Sequence, residues 1–276
     1  MKTIIVATDF SATALNAANY AADMALAINA DMLLLHVYQL PVSYSEIAVP
    51  LTEDDIMENA EQNLKELRTQ LIKRTDNKIT IDTKVRLAIF FFPELKKVCE
   101  SAKPYAVVMG SQGTTAAENL ILGSHTAHAI KHLMWPLITV PVKAAFSTVK
   151  KIGLACNLNH VTDTVPLEEI NTLVKDFNAE LHILNIDKHG VFNPDTDFES
   201  VLLEQMMRPL KPTYHFITNK NTDEGIIDFA EKNKIDLLIV LPRRHGLLSR
   251  LVNKSHTRQL ILHSHVPVMA LHYEIL

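Results

Sequence analysis

The amino-acid sequence predicts an α/β protein with two tandem, open, parallel five-stranded sheets of Rossmann-like type, each covered by helices. Two observations carry this fold class: β-rich apolar runs alternate with segments of helical periodicity over residues 1–143, and the same plan returns from residue 150. The amino-acid composition agrees with this fold class. The chain has 276 residues, 47% hydrophobic and 21% charged, enough to bury a core in one large domain or two ordinary ones.

The first half opens with a strand, a helix and a second strand. "TIIVATDFS" is a β-rich run that stops at a polar turn, and "ATALNAANYAADMALAINA" repeats alanine and leucine at helical spacing. "DMLLLHVY" is continuously apolar, which is typical of a strand buried on both faces. A loop with Pro41 and Pro50 leads to "EDDIMENAEQNLKELRTQLIKR", whose acidic start and basic end match a helix dipole.

Three more strands complete this half. "ITIDTKV" predicts the third strand, and a helix begins near Pro93. "YAVVMG" and "PLITVPV" predict the fourth and fifth strands, with a helix through "HTAHAIKHL" between them. The run "AIFFFP", residues 88–93, is interpreted as core around a helix start. This alternation predicts a parallel sheet covered by helices.

The second half repeats the first. "KKIGLACNLN" matches "KTIIVATDFS", "AELHILNID" matches "ADMLLLHVY", and "IDLLIVLP" matches "YAVVMGS". The tripeptide "SHT" at residues 124–126 and 255–257 is the strongest tie. A repeat of about 140 residues indicates a duplicated domain. We therefore predict domains at 1–146 and 147–276, and the short connector "KAAFSTVK" predicts that they pack against each other.

Charge and hydropathy narrow the function classes. A formal net charge of −4 argues against nucleic-acid and membrane-surface binding, which need a basic face. No apolar run approaches the ~18 residues of a membrane helix, and the apolar stretch of "MKTIIVATDF" is too short for a secretory signal. Cys99 and Cys156 lack disulfide or metal spacing and are interpreted as buried apolar residues. We expect a cytoplasmic protein.

Glycine is scarce except in one stretch. The chain has seven glycines, and three of them, Gly110, Gly113 and Gly123, lie in "GSQGTTAAENLILGSHT". This stretch follows a strand and precedes a helix, so it is expected at the carboxyl edge of the sheet, where α/β proteins bind ligands. Backbone N–H groups in such a loop and at a helix start suit a phosphate. The alternative is a glycine loop that merely turns a strand into a helix.

The spacing of these glycines resembles a family pattern. Gly110, two residues, Gly113, nine residues, then Gly123 and Ser124 is similar to the nucleotide-binding pattern of the ATP-binding branch of the universal stress protein family. "VATDFS", "LLLHVY" and "WPLITVPV" are similar to that family's first, second and fifth strands. The resemblance covers the whole chain as a tandem pair, strongly in the first half and weakly in the second.

The resemblance implies a small-molecule ligand, ATP or a related adenine nucleotide, together with Mg²⁺. Asp9 has an equally ordinary alternative use, an Asx-turn into the next helix. The residues implied at the adenosine end are Ala7, Thr8, Asp9, Phe10 and, through its backbone, Val37; those implied around the ribose and phosphates are Met109, Gly110, Gly113, Gly123, Ser124, His125 and Thr126.

Some positions depart from the family pattern. Gln112 stands where a cationic or histidine side chain is frequent, and Ala88 stands where glycine is frequent. The second half departs much further, so only the first half is expected to hold a nucleotide. There Leu241, Arg244 and Lys254 stand in place of Gly110, Gly113 and Gly123, and Asn157 stands in place of Asp9. The basic residues of this segment are interpreted as part of a solvated loop, with anion binding as the alternative; they are Arg243, Arg244, Arg250 and Lys254.

We predict an adenine-nucleotide-binding stress or signalling protein with little or no turnover. A phosphoryl-transfer enzyme needs a base or water-orienting residue and a cationic clamp. The candidates near the glycine stretch are His125, Glu118 and Lys131. The alternatives are a slow ATPase or phosphotransferase and a nucleotide-independent interaction scaffold. His125, His128 and His132 have helical spacing, but no carboxylate or cysteine accompanies them at ligand spacing, so no metal site is predicted.

The resemblance also implies how the halves meet. In the family's sheet order, 3-2-1-4-5, each fifth strand is an edge, and an open apolar edge invites pairing. We therefore predict that residues near 137–142 pair antiparallel with residues near 266–272 about a pseudo-twofold axis, as an intramolecular pseudo-dimer. Pro141 and Pro267 lack an N–H group, so the ladder should be short. A further homodimer would need a different surface.

Overall fold

The computed structural model describes residues 2–39, 52–111, 122–187, 194–242 and 256–273, in which strands and helices alternate as predicted. The strands are β1 (Thr3–Ala7), β2 (Asp31–Gln39), β3 (Ile81–Ala88), β4 (Ala106–Gly110), β5 (Leu137–Val140), β6 (Lys151–Ala155), β7 (Glu180–Asp187), β8 (Thr213–Thr218), β9 (Leu237–Val240) and β10 (Val268–Ala270). The helices are α1 (Ala12–Ile28), α2 (Glu53–Arg74), α3 (Phe91–Ala102), α4 (Ser124–His132), α5 (Val161–Thr164), α6 (Leu167–Phe177), α7 (Pro194–Met207), α8 (Thr222–Lys232) and α9 (His256–His263).

The ends of the first two helices are set by local chemistry. The Ser11 hydroxyl caps α1 by accepting a hydrogen bond from a first-turn N–H group. Thr52 and Asp55 form a reciprocal capping box at the start of α2, and Lys73 and Arg74 lie in its last turn, near the negative end of the dipole. Among the described residues, no helix is both long and apolar enough to cross a membrane.

The strands described form one continuous sheet in the order β3-β2-β1-β4-β5-β10-β9-β6-β7-β8. Within each half all neighbouring strands are parallel. The predicted α/β class and the order 3-2-1-4-5 are confirmed for both halves. The two predicted sheets are a single sheet because their fifth strands are joined.

Antiparallel pairing of β5 with β10 joins the halves, as predicted. Ile138 and Met269 occupy equivalent positions, since each is the second residue of the ladder that its strand forms with the neighbouring parallel strand. A pseudo-twofold axis perpendicular to the sheet therefore passes through this pair. The paired residues are Leu137 with Ala270, Ile138 with Met269, and Thr139 with Val268.

The prolines flank this ladder and do not interrupt it. Pro141 follows the last residue of β5, and Pro267 precedes the first residue of β10. Because neither proline has an N–H group to donate, the ladder cannot extend through them with full hydrogen bonding. The Thr139 hydroxyl adds a hydrogen bond to the Val268 carbonyl oxygen at 3.1 Å. The prediction of a short ladder is confirmed.

Helices cover both faces of the sheet, and each apolar core runs through both halves. One face is packed by α1, α2, α5, α6 and α7, and the other by α3, α4, α8 and α9. Ile138 and Met269 are fully buried in the first core, while Leu137 and Val268 are buried in the second. The halves therefore share continuous hydrophobic cores on both faces of the joint.

Side chains also hold the connector between the halves. The side-chain amide of Asn16 on α1 donates hydrogen bonds to the Pro141 carbonyl at 3.0 Å and the Ala144 carbonyl at 2.9 Å. Phe146 packs edge-on against Tyr20 with ring centroids 5.3 Å apart. The connector is thus fixed to the first helix of the first half, in agreement with its short length.

The first helix differs most between the halves. α1 runs unbroken for 17 residues, whereas the corresponding segment of the second half is divided into α5 and α6. Pro166 lies between these two helices and has no N–H group for an intrahelical hydrogen bond. One proline therefore accounts for a break that the repeat pattern did not predict.

The run at 88–93 is only partly core, contrary to the interpretation of the sequence. Phe91, the first residue of α3, is 9% exposed, but Ile89 is 52% exposed and Phe90 is 67% exposed. Both exposed residues lie in the bend between β3 and α3. Neither the strand period nor the helical period applies at such a bend, so neighbouring apolar side chains need not share the buried side.

The β5–β10 joint predicts that substituting Met269, which is completely buried, strongly lowers the stability of the fold. Met269→Ala leaves a cavity at the centre of the β5–β10 ladder and is expected to lower the free energy of unfolding by about 2–5 kcal/mol. Chemical denaturation followed by circular dichroism measures this change. Val142→Ala, at a side chain that is 44% exposed just beyond β5, is the control and should stay within about 0.5 kcal/mol. Equal effects of the two substitutions would contradict a buried joint.

Candidate functional site

The predicted site residues that are described meet at the carboxyl edge of the first-half strands. β1 ends at Ala7 and leads into the turn at residues 8–10, β4 ends at Gly110, and α4 begins at Ser124. β1 lies between β2 and β4, so β2 and β3 follow on one side of β1 and β4 and β5 on the other. The direction of the strand order therefore reverses at β1. Such a switch point is where open α/β sheets bind ligands.

Five of the predicted residues have buried side chains, and three of these five are apolar. Ala7, Val37 and Met109 are 6%, 8% and 5% exposed, and all three belong to the core on the α3 and α4 face. Their side chains are therefore not available to a ligand, which could meet only their backbone groups. For Val37 this is the kind of contact that the family resemblance implies.

Side chains shape the turn that follows β1. The Thr8 hydroxyl accepts a hydrogen bond from the Phe10 N–H at 3.0 Å, and the Asp9 carboxylate accepts one from the Ser11 N–H at 3.0 Å. Phe10 has a left-handed backbone with φ 61°. Asp9 therefore forms the Asx-turn that the sequence allowed as its alternative use. Its side chain is nonetheless exposed at the ligand edge.

His36 on β2 supports this turn, although the sequence reading did not select it. Its Nδ1 donates a hydrogen bond to the Thr8 carbonyl at 2.8 Å, and its ring lies 4.7 Å from the Phe10 ring. The second half repeats the contact, because the Asn185 side-chain amide donates to the Cys156 carbonyl at 3.0 Å. In the sequence, the only sign of this role is that His36 is a polar residue within the apolar run "LLLHVY".

Gly110 is explained by packing. A Cβ atom at this position would lie 2.8 Å from Thr13 Cγ2 and 3.1 Å from the Thr13 carbonyl carbon, so the start of α1 approaches the strand too closely for any side chain. Gly110 is the last residue of β4 and pairs with Val140. Its carbonyl accepts a hydrogen bond from the buried Thr126 hydroxyl at 3.0 Å. Gly110 thus lets α1, β4 and α4 converge at the site.

The start of α4 has no side-chain cap. Gly123 is the N-cap residue and supplies no side-chain hydrogen bond, so the first-turn N–H groups of a nine-residue helix have no side-chain acceptor from that position. Ser124 and His125 are exposed there, whereas Thr126 is buried. Gly113 and Gln112 lie outside the described residues.

His125 links the start of α4 to β2. Its Nε2 lies 2.9 Å from Gln39 Oε1, and its ring is 4.8 Å from the Phe91 ring. Desolvation lowers the pKa of His125, the nearby Asp9 carboxylate opposes this shift, and His128 adds to it. At neutral pH the side chain is therefore uncharged. Gln39 and Phe91 were not selected from the sequence, since neither position carries a motif.

The other two histidines of α4 lie away from this edge. His128 packs against Phe92 and His132 with ring centroids 4.6 and 4.5 Å away. Within the described part of the chain, no group of three His, Cys, Asp or Glu side chains is placed to hold a metal ion.

The second half has a different edge. The strand registers place Leu241 where Gly110 stands, because Ile152 pairs with Leu237 as Ile4 pairs with Ala106. The Nδ1 atom of His256, the first residue of α9, lies within hydrogen-bond distance of Asp223 Oδ1, at 2.8 Å. The four basic residues noted in the sequence, Arg243, Arg244, Arg250 and Lys254, lie outside the described residues.

Comparison with known proteins identifies the fold family. A model of the universal stress protein family matches residues 1–141 and again residues 148–272. The chain belongs to the universal stress protein family. A universal stress protein structure from Archaeoglobus fulgidus DSM 4304 is 16% identical, covers 98% of this chain and 98% of its own, and has a TM-score of 0.72. A functionally unknown protein from Pseudomonas aeruginosa PAO1 is 13% identical, covers 99% and 93%, and has a TM-score of 0.62. No curated protein matches the chain.

Membership of the universal stress protein family extends to the half whose edge has changed. Residues 148–272 match the family model although Asn157 and Leu241 replace Asp9 and Gly110. The two solved structures cover nearly the whole chain, so they share its tandem fold. The sequence resemblance to a tandem member of the family is confirmed.

The close approach at Gly110 predicts that this universal stress protein does not tolerate a methyl group there. Gly110→Ala is expected to lower the free energy of unfolding by about 1–3 kcal/mol, because the backbone of Thr13 must move. Gly153→Ala is the control, since a Cβ in that buried strand meets only the methyl ends of side chains, at 3.2 Å or more. Thermal and chemical denaturation measure both variants. A larger loss for Gly153→Ala would be evidence against the packing role of Gly110.

The electrostatic effect of Asp9 on His125 predicts a pKa change. Asp9→Asn removes the carboxylate that favours the charged imidazole, so the pKa of His125 should fall further below its ordinary value. Titration of the histidine ring protons by NMR measures it. His132 is the internal control, because burial, His128 and Lys131 lower its pKa without a contribution from Asp9. A His125 pKa that does not move would show that Asp9 lies too far away to act on it.

Proposed function

We propose that the first half of this chain binds ATP or a related adenine nucleotide, with Mg²⁺, and turns it over slowly or not at all. The observation that carries the proposal is the convergence of three features at one switch point. These are the exposed Asp9 turn after β1, the end of β4 at Gly110, and the start of α4 at Gly123. Helix N-termini at such crevices favour phosphate groups.

The resemblance suggests how the nucleotide would lie in this crevice. Its adenosine end would meet the turn at residues 7–10 and the backbone of Val37. Its ribose and phosphates would meet the backbone from Met109 to Gly113 and residues 123–126. The buried side chains of Ala7, Val37 and Met109 fit this arrangement, because they leave the backbone as the only surface at those positions. Mg²⁺ would be held mainly by the phosphates.

Slow turnover follows from the side chains near the phosphate end. Phosphoryl transfer needs a cationic clamp and a group that orients water. His125 is uncharged at neutral pH because its pKa is lowered. Lys131 lies in the last turn of α4, about 10 Å along the helix axis from Ser124. A stress or signalling protein that holds its nucleotide fits these residues better than an ATPase does, and we place it in the cytoplasm.

The proposal predicts one nucleotide per chain. Calorimetric titration with Mg-ATP should give a single site, weakened strongly by Gly123→Val. Gly123 has φ −54°, a conformation that other residues adopt, so this change tests space for the ligand and not backbone strain. Asp9→Ala should also weaken binding, whereas Asn157→Ala, its counterpart in the second half, should not. Two equivalent sites, or binding unaffected by Gly123→Val and Gly113→Val, would refute the assignment.

Phosphate release is predicted to be very slow. With saturating Mg-ATP, the rate followed over hours should lie far below the ~1–10³ s⁻¹ of ordinary enzymes. A steady rate in the ordinary range that His125→Ala abolishes would favour the ATPase alternative.

A further inference from the structure

We propose that a second copy of this chain pairs antiparallel with β8 and forms a homodimer at that end of the sheet. β8 lies at one end of the strand order, and no described strand pairs with its outer edge. The outer edge of such a strand presents backbone N–H and C=O groups that can bind another strand. This inference is independent of the proposed nucleotide site.

The opposite end of the sheet is protected. The end strand there, β3, carries Asp82, Lys84 and Arg86, and charged side chains on an edge strand disfavour pairing with another chain. Helix α2 packs along β3, and Arg68 on that helix donates a hydrogen bond to the Ile81 carbonyl at 2.5 Å. β3 is therefore a poor template for a second molecule.

Within the described residues, β8 lacks both kinds of protection, because its own sequence has no charged residues and no helix packs along it as α2 packs along β3. Its sequence, "TYHFIT", contains no Asp, Glu, Lys or Arg, and Phe216 is 63% exposed. Helix α7 contributes further apolar surface, since Phe198 is 64% exposed and Val201 is 52% exposed. These two residues are three apart on the helix and so lie on one side of it. An open strand edge that carries an exposed aromatic side chain is a candidate interaction site.

The residues of β8 that share a face of the sheet with α7 can be identified. Tyr214 packs in the same core as Leu203 and Met207 of α7. Side chains alternate along a strand, so Phe216 and Thr218 lie on that same face. Phe216 is therefore exposed on the face that α7 covers only in part.

The internal joint shows which partner fits such an edge. β5 and β10 pair antiparallel around the equivalent residues Ile138 and Met269. Two copies of β8 can repeat this symmetry, because an axis through Phe216 pairs that residue with itself and Tyr214 with Thr218 of the second copy. Both residues of every antiparallel pair then share a face. The most exposed aromatic ring of the strand is thereby buried against its own copy, with no charges opposed inside the ladder.

The residues on either side of β8 limit the length of the ladder and make the stability of the dimer depend on salt. Lys211 and Lys220 are exposed just beyond the two ends of the strand. In the antiparallel arrangement, Lys211 of each copy approaches Lys220 of the other. Salt screens this repulsion, so the dimer should become tighter as ionic strength rises.

Sedimentation velocity of the purified full chain over a wide concentration range tests the proposal. We expect a species of twice the 31.0 kDa chain mass. Phe216→Lys should weaken the dimer at least about tenfold, because it places two like charges opposite each other. Leu26→Lys is the control, since it adds the same charge at a side chain of α1 that is 37% exposed, and it should leave the dimer unchanged. Circular dichroism melts check that both variants fold.

Cysteine cross-linking tests the register. Paired residues in an antiparallel ladder have Cα atoms about 4.5–5.5 Å apart, which is within disulfide range. Under mild oxidation Phe216→Cys should give a covalent dimer and Thr218→Cys should not, while the native Cys99 and Cys156 are buried. A chain that stays monomeric at all concentrations overturns the proposal. So does a dimer that Phe216→Lys leaves intact, or one that Thr218→Cys cross-links in preference to Phe216→Cys.

Discussion

The antiparallel ladder between β5 and β10 fixes the geometry of the whole molecule. It consists of three residue pairs, and its central pair relates the halves by a pseudo-twofold axis. Because all strands within a half are parallel, the carboxyl edges of the two halves point in opposite directions along the sheet. The candidate site of the first half and its altered counterpart in the second therefore lie at opposite edges and cannot share one ligand.

At the first of these edges, contacts that define the fold also define the site. The absence of a side chain at Gly110 lets α1 reach β4, and the Gly110 carbonyl in turn receives the Thr126 hydroxyl from α4. His36 holds the Thr8 carbonyl from the neighbouring strand. The turn after β1 and the start of α4 are thus positioned by buried or partly buried groups, while Asp9 and Ser124 are exposed.

The sequence predicted the secondary-structure elements and how they are arranged, but not the individual side-chain contacts between them. Apolar periodicity and the repeat predicted the strands and helices, whereas the strand order and the β5–β10 joint were predicted from the family resemblance, which implies which strand lies at an edge. It did not predict that Gly110 faces Thr13, or that Gln39 meets His125, since these contacts arise only after folding. The exposure of Phe90 was not predicted, because composition does not indicate which way a side chain points at a bend.

The joint has a further consequence because it lies within one chain. Separate subunits dissociate on dilution by mass action, whereas tethered partners keep a fixed effective concentration. In a symmetric homodimer every substitution occurs twice, so a change such as Leu241 in place of Gly110 would alter both binding edges together. A fused pair escapes that constraint. The edge of one half can diverge while that half still supplies the neighbouring strand that the other half needs.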